Sequence, residues 1–116
     1  MKHFRIEEFE CKCGCGSRAM KRNTLAKLDL ARALAGVPFV VSSGYRCEAH
    51  NRAVGGKSSS AHTRGFAVDI RTPTSAFRFK ILNALLKSGF TRIGIAKTFI
   101  HADNDPSLPQ EVMWDY

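Results

Sequence analysis

The segment from Gly65 to Ile70 constrains this chain more than any other. Phe66, Val68 and Ile70 alternate with Gly65, Ala67 and Asp69, which is the period of a strand with one apolar face. The opposite face carries only small residues and one carboxylate, so nothing bulky fills the space in front of Asp69. Two helical stripes are available to cover the apolar side. From Asn23, a capping residue, Leu25, Leu28, Ala31 and Leu34 or Ala35 fall on one face, and Gly36 stops the helix. Thr74 caps a second helix with Phe77, Ile81, Leu82, Leu85 and Leu86 as its stripe and Gly89 as its stop. Short strands are predicted at Phe39 to Ser42, near Thr91 to Ile95 and near Thr98 to Ala102, with one or two helical turns between Glu48 and Ala53. The order helix, strand, strand, helix, strand, strand predicts an α+β domain with a mostly antiparallel sheet and flanking helices.

The chain has 116 residues, 44% hydrophobic and 24% charged, which describes one soluble domain over residues 1–116. A domain of this length buries roughly two-thirds of its unfolded surface, so a second domain is excluded. Residues 1–20 are read as an irregular, Cys-containing segment packed on it, with Phe4, Ile6 and Phe9 as an apolar hook. No apolar run approaches the roughly 18 residues of a membrane span. The N-terminal residues lead into acidic positions rather than an apolar signal segment, so synthesis in the cytoplasm without a signal peptide is expected. The excess of 18 Lys+Arg over 10 Asp+Glu, a formal charge of +8, asks for an acidic partner. The basic residues are scattered and fit no helix-turn-helix, zinc-finger or RNP pattern, so no specific nucleic acid is expected; an anionic cell-envelope polymer accounts for the charge equally well. The chain is expected to act as a monomer.

The chemistry-bearing residues are His62, Asp69 and His101. His62 precedes a Thr63-Arg64-Gly65 turn that can fold it over the cleared face of Asp69. On the last predicted strand Phe99, His101 and Asp103 share one face. Two His and one Asp, with a fourth position open to water, make a catalytic rather than a structural zinc site, in which the ion lowers the pKa of water to about 7 and polarises a carbonyl.

The run Ser60-Ala61-His62-Thr63-Arg64-Gly65-Phe66-Ala67-Val68-Asp69-Ile70 resembles the S-x-H-x-x-G-x-A-x-D signature of the zinc D-Ala-D-Ala carboxypeptidase and peptidoglycan endopeptidase family. Ser43-Gly44-Tyr45-Arg46 resembles that family's S-G-Y-R element, and Asn51 with Gly55-Gly56 its N-x-x-x-G-G continuation. Phe99-Ile100-His101-Ala102-Asp103 resembles its closing F-[IV]-H-x-D strand, and all these motifs stand in the family's order. The resemblance implies a hedgehog/D,D-peptidase-like fold, one catalytic Zn2+ on His62, Asp69 and His101, and a peptidoglycan peptide as substrate. It also implies that Arg46 binds a stem carboxylate or supports the tetrahedral oxyanion, tasks that suit a planar guanidinium. Tyr45, His50 and Ser60 are the accompanying substrate-binding candidates. The place of action would be the cell wall or periplasm, after release as an endolysin or as part of a phage particle. The alternative is a non-catalytic zinc-containing wall-binding or phage structural module.

One departure stands out. Many members place an acidic general base three residues before the last zinc histidine, and some a second His two before it; Thr98 and Phe99 stand there. Asp103 is the leading substitute for the catalytic base, with orientation of a ligand or a loop as its other role; Glu48 and His50 are weaker candidates. Cys11, Cys13, Cys15 and Cys47 are an even count, and the spacing leaves a disulfide, a second metal site and free thiols all open. Trp114 and Tyr116 either close the core or rim the cleft.

Overall fold

In the computed structural model, which describes residues 1–116, the alternating segment forms the second strand of a five-stranded sheet, running from Ala67 to Arg71 rather than from Gly65. The regular elements are α1 (Arg22–Ala35), β1 (Val41–Ser43), α2 (Glu48–Ala53), β2 (Ala67–Arg71), α3 (Ser75–Ser88), β3 (Arg92–Ile95), β4 (Phe99–Asp103) and β5 (Val112–Asp115), with short 3-10 turns at Ile6–Phe9 and Ala61–Arg64. The strand order is β1-β2-β4-β3-β5. β1 with β2, β2 with β4 and β3 with β4 pair antiparallel, and β5 joins β3 in parallel. The result is a small single α+β domain with a mixed sheet and three helices.

Sheet register separates the two faces cleanly. Ile70 opposes Ile100, which opposes Ile95, and Val68 opposes Ala102, which opposes Ile93. These rows meet Leu28 and Ala31 of α1 and Ile81, Ala84 and Leu85 of α3 in one core, joined by Phe4 and Phe9 from the N-terminal hook. Burial of each such side chain contributes roughly 1.5–3 kcal/mol against its exposed state. The other face carries the row Ser43, Asp69, His101, Gly94, Trp114 across all five strands. Chemistry and core therefore lie on opposite sides of one sheet.

Several local readings shift. α1 starts at Arg22, with Lys21 at its N-cap instead of Asn23, because the Lys21 N–H is fixed by Gly65 O at 2.9 Å. Leu34 and Leu86, read as stripe residues, lie about half exposed at 52% and 48%, so each helix turns a narrower face to the core. Phe66 precedes β2 and is only half buried; its N–H bonds back to Ala61 O, and Lys21 Nζ sits 5.5 Å from its ring. β5 has no counterpart among the predicted strands.

Candidate metal centre

The turn before β2 fixes the first histidine. Ser60 caps it by accepting the His62 N–H, and Gly65 ends it with φ +80. A Cβ at Gly65 would stand 2.1 Å from Ala19 O, so both the left-handed conformation and the close backbone demand glycine. The turn aims His62 at the cleared face of β2. There His62 Nε2 lies 3.3 Å from Asp69 Oδ1 and 3.3 Å from His101 Nδ1, and His101 Nδ1 lies 3.1 Å from the same Asp69 oxygen. Asp69 and His101 reach each other because they are direct cross-strand partners. All three residues are buried, at 2%, 7% and 7% exposure.

The outward atoms of each ring are already engaged. His62 Nδ1 donates to Gly44 O at 2.8 Å, and His101 Nε2 donates to Asp103 Oδ2 at 2.6 Å. With those protons placed, His62 Nε2, His101 Nδ1 and Asp69 Oδ1 present three lone pairs to one point, without a proton among them in the neutral tautomers. Buried lone pairs in that arrangement repel unless a cation sits between them. The donor set, two imidazoles and a carboxylate, therefore fits a divalent transition metal, and the second hydrogen bond of each ring fixes its orientation. Burial by itself raises the Asp69 carboxyl, but in the metal-free site hydrogen bonding and charge from His101 and His62, when an imidazole carries a second proton at this point, outweigh it and hold it well below the usual carboxylate range. For His101 burial favours the neutral ring, and the Asp103 and Asp69 carboxylates outweigh it and raise its pKa.

Around this point lies an open cleft of about 690 Å³. Arg46 forms part of its wall. Its Nε donates to Ser43 Oγ at 3.1 Å, Nη1 to Asn51 Oδ1 at 3.3 Å and Nη2 to Asp69 Oδ2 at 3.4 Å, which leaves its other N–H groups for a ligand. Asn51 is buried and donates to Lys57 O, so the N-x-x-x-G-G stretch serves to hold the Arg46 side chain. Arg46, Lys57 and Arg92 line the cleft as cations, with Ser60, Trp114 and Tyr116. Tyr45 and His50 do not line it; the Tyr45 N–H is bonded to Phe9 O and the His50 N–H to Cys47 Sγ.

Asp103 is 1% exposed and engaged through both oxygens. Oδ2 accepts from His101, while Oδ1 accepts the Asp105 N–H at 3.2 Å and faces Arg92 Nε at 3.0 Å. Trp114 is the residue whose position the sequence left open. Parallel pairing of β5 with β3 puts it opposite Gly94, with its ring 5.4 Å from that of His101 and 5.3 Å from the Arg92 guanidinium. It rims the site rather than closing the core. The signal available in sequence was a glycine inside β3, since a Cβ on Gly94 would lie 2.5 Å from Trp114 Nε1.

A sheet with a buried His-Asp-His cluster at the floor of a cationic cleft defines a metal-dependent hydrolase type of site. The comparison with protein families narrows this class: a sequence model described as Peptidase M15 matches residues 2–103, and the chain belongs to that family. It is accordingly a metallopeptidase in general, with a peptide as substrate. Among curated proteins none matches the chain. No helix is long and apolar enough to cross a membrane.

Proposed function

We propose that this chain is a zinc-dependent peptidase that hydrolyses peptidoglycan stem or cross-link peptides, of the D,D-carboxypeptidase or endopeptidase type. The observation that carries the reading is the convergence of His62 Nε2, Asp69 Oδ1 and His101 Nδ1 within 4.8 Å of one another beside Arg46. A bound zinc ion supplies Lewis acidity toward an amide carbonyl and water acidified to near neutrality. The protein's own residues do the rest. His62 and His101 offer one nitrogen each because Gly44 O and Asp103 hold the other, and Asp69 divides its two oxygens between the metal position and Arg46. The free N–H groups of Arg46 bind a peptide carboxylate or the oxygen that becomes negative in the tetrahedral state. Lys57 and Arg92 add positive potential, which suits a stem peptide rich in carboxylates. Asp103 acts by orienting His101, the role its contacts favour over that of a base.

A second reading, a non-catalytic zinc-containing wall-binding or phage structural module, is favoured by one observation. The only carboxylates lining the cleft are Asp69 and Asp103, and both are paired. Under either reading the charge of +8 concentrates the protein on anionic wall polymers. Incubation of the zinc-loaded chain with purified peptidoglycan, followed by mass analysis of released fragments, tests the proposal. Chelator-sensitive shortening of stems or opening of cross-links is expected, and is lost in His62→Ala. Zinc-loaded protein that binds the wall and leaves every peptide bond intact refutes the peptidase and supports the module.

A further inference from the structure

A second cluster of metal-binding type lies outside the cleft. The Sγ atoms of Cys11, Cys13, Cys15 and Cys47 all lie within 4.8 Å of one another, and no pair is joined as a disulfide. Cys11 and Cys13 sulfurs are 3.4 Å apart, and each is 3.7 Å from the sulfur of Cys47. A disulfide needs about 2.05 Å. Four thiolates on one tetrahedral zinc, each at about 2.3 Å, stand about 3.8 Å from one another. The separations therefore describe four ligands around one point, a gathering that no pairwise bridge requires.

We propose that these four cysteines bind a second divalent ion of the zinc class in a closed structural site of four thiolates. Three ligands come from one tight turn, in which Gly14 N–H bonds to Cys11 O and Cys11 N–H to Ser17 O, so the short segment brings its sulfurs to one side. The fourth comes from a distant part of the chain, 36 positions on from Cys11. Two backbone N–H groups point at the sulfurs: that of Cys47 at Cys11 Sγ and that of His50 at Cys47 Sγ, both at 3.4 Å. Donors aimed at sulfur stabilise negative charge on it, as thiolate ligation requires. An all-sulfur set selects a soft ion such as zinc over the hard cations that prefer oxygen.

The site has a specific mechanical consequence. Cys47 adjoins Arg46, and the loop before it is already tied to the hook by the Tyr45 N–H to Phe9 O bond at 2.9 Å. An ion clasping Cys47 to the Cys11–Cys15 turn locks the same loop from its other side. It thereby fixes the backbone that presents Arg46 to the cleft, while the Arg46 N–H itself is bonded to His62 O at 3.2 Å. The ion takes no part in chemistry at the His-Asp-His cluster, and the inference stands whether or not the chain cleaves a peptide.

Metal analysis of the full chain purified with reductant tests it. About two equivalents of zinc are expected in the unaltered chain, and about one in a His62→Ala/His101→Ala variant and in Cys47→Ser. Loading the His62→Ala/His101→Ala variant with cobalt should give thiolate-to-cobalt charge-transfer absorption that disappears on adding Cys47→Ser. Should Cys47→Ser fail to fold, the exposed Cys15→Ser serves in its place. Thiol titration of the unaltered chain provides an independent reading: the cysteines should react slowly until chelator is added, together with faster hydrogen exchange at the Arg46 amide. A His62→Ala/His101→Ala variant without metal, thiols that react equally fast with and without chelator, or a mass deficit showing disulfides in the reductant-purified chain would each overturn the proposal.

Discussion

Replacing Asp103 with asparagine separates orientation of a ligand from proton transfer in the cleft. The carboxylate serves three neighbours: His101 Nε2 at 2.6 Å on one oxygen, and the Asp105 N–H at 3.2 Å and the Arg92 cation at 3.0 Å on the other. A carboxamide has one acceptor and one donor end. If its oxygen faces His101, its NH2 points at an N–H and a guanidinium. If it flips, the NH2 donates to His101 Nε2 and forces the proton onto Nδ1, removing the lone pair that faces Asp69 and His62. Loss of an orienting carboxylate typically costs about 10–100-fold in metal affinity, and the tautomer conflict places Asp103→Asn at the upper end of that range. Asp103 is 1% exposed and the Arg92 side chain 14%, so uncoupling this pair should also cost about 2–4 kcal/mol of stability. In a domain of this size that lowers Tm by on the order of 10 °C. Competition against a chromogenic chelator measures the affinity, and thermal unfolding with and without zinc measures the stability. Unchanged zinc affinity together with abolished peptide cleavage would refute the orienting role and return Asp103 to the part of general base.

Three further outcomes follow from the same geometry. Gly94→Ala should expel the Trp114 ring from beside His101, since the new methyl would lie 2.5 Å from its Nε1; a smaller change in Trp fluorescence on zinc addition than in the unaltered chain, with the sheet intact by circular dichroism, checks this. Arg46→Lys keeps the charge but cannot hold Ser43, Asn51 and Asp69 together, so KM for an anionic stem peptide should rise roughly tenfold or more while zinc content is unchanged. In the chelated chain the raised pKa of His101 means that folding takes up a proton. Its stabilising contribution is full below the unfolded value near 6.5 and is lost as pH rises through the higher folded value. Zinc affinity should move the opposite way over the same window, because the ion must displace that proton. Tm of the chelated chain should therefore fall from acid toward alkaline pH, and the Tm gain on adding zinc should grow. A zinc-induced gain that shrinks over that window would count against His101 as a ligand.

What sequence could resolve depended on how far each signal reached along the chain. The alternation in β2 needed no partner to be seen, and it set which face Asp69 occupies. The capping of α3 by Thr74 and the stops at Gly36 and Gly89 were equally local. The start of α1 was not, because the Lys21 N–H is fixed by Gly65 O across a sequence gap no helix signal spans. β5 escaped for a related reason: Val112–Asp115 is only four residues long, and its parallel pairing with β3 comes from outside its own segment. Tyr45 belongs to a motif, yet being adjacent to Arg46 sends its side chain elsewhere, and only Arg46 reaches the cleft. The sulfurs show the limit most plainly, since Cys11, Cys13 and Cys15 allow several pairings on paper and only folding brings Cys47 to the same point.

The row Ser43, Asp69, His101, Gly94, Trp114 explains why such a small chain can hold a site of this kind. Each member sits on a different strand at matched register, so the sheet itself supplies the spacing of Asp69 and His101, and a loop has to add only His62. A one-residue slip of β4 against β2 would turn His101 into the core and Ile100 or Ala102 toward the cleft, costing both burial and the meeting of His101 with Asp69 at once. Stability and metal binding therefore select the same register. Arg46 lacks that protection, because it lies beyond β1 on a loop whose side chain is held by Ser43, Asn51 and Asp69 and whose next residue is Cys47. The sheet fixes Asp69 and His101, and the cysteine cluster is placed beside the loop that carries Arg46, a cleft cation the sheet does not hold.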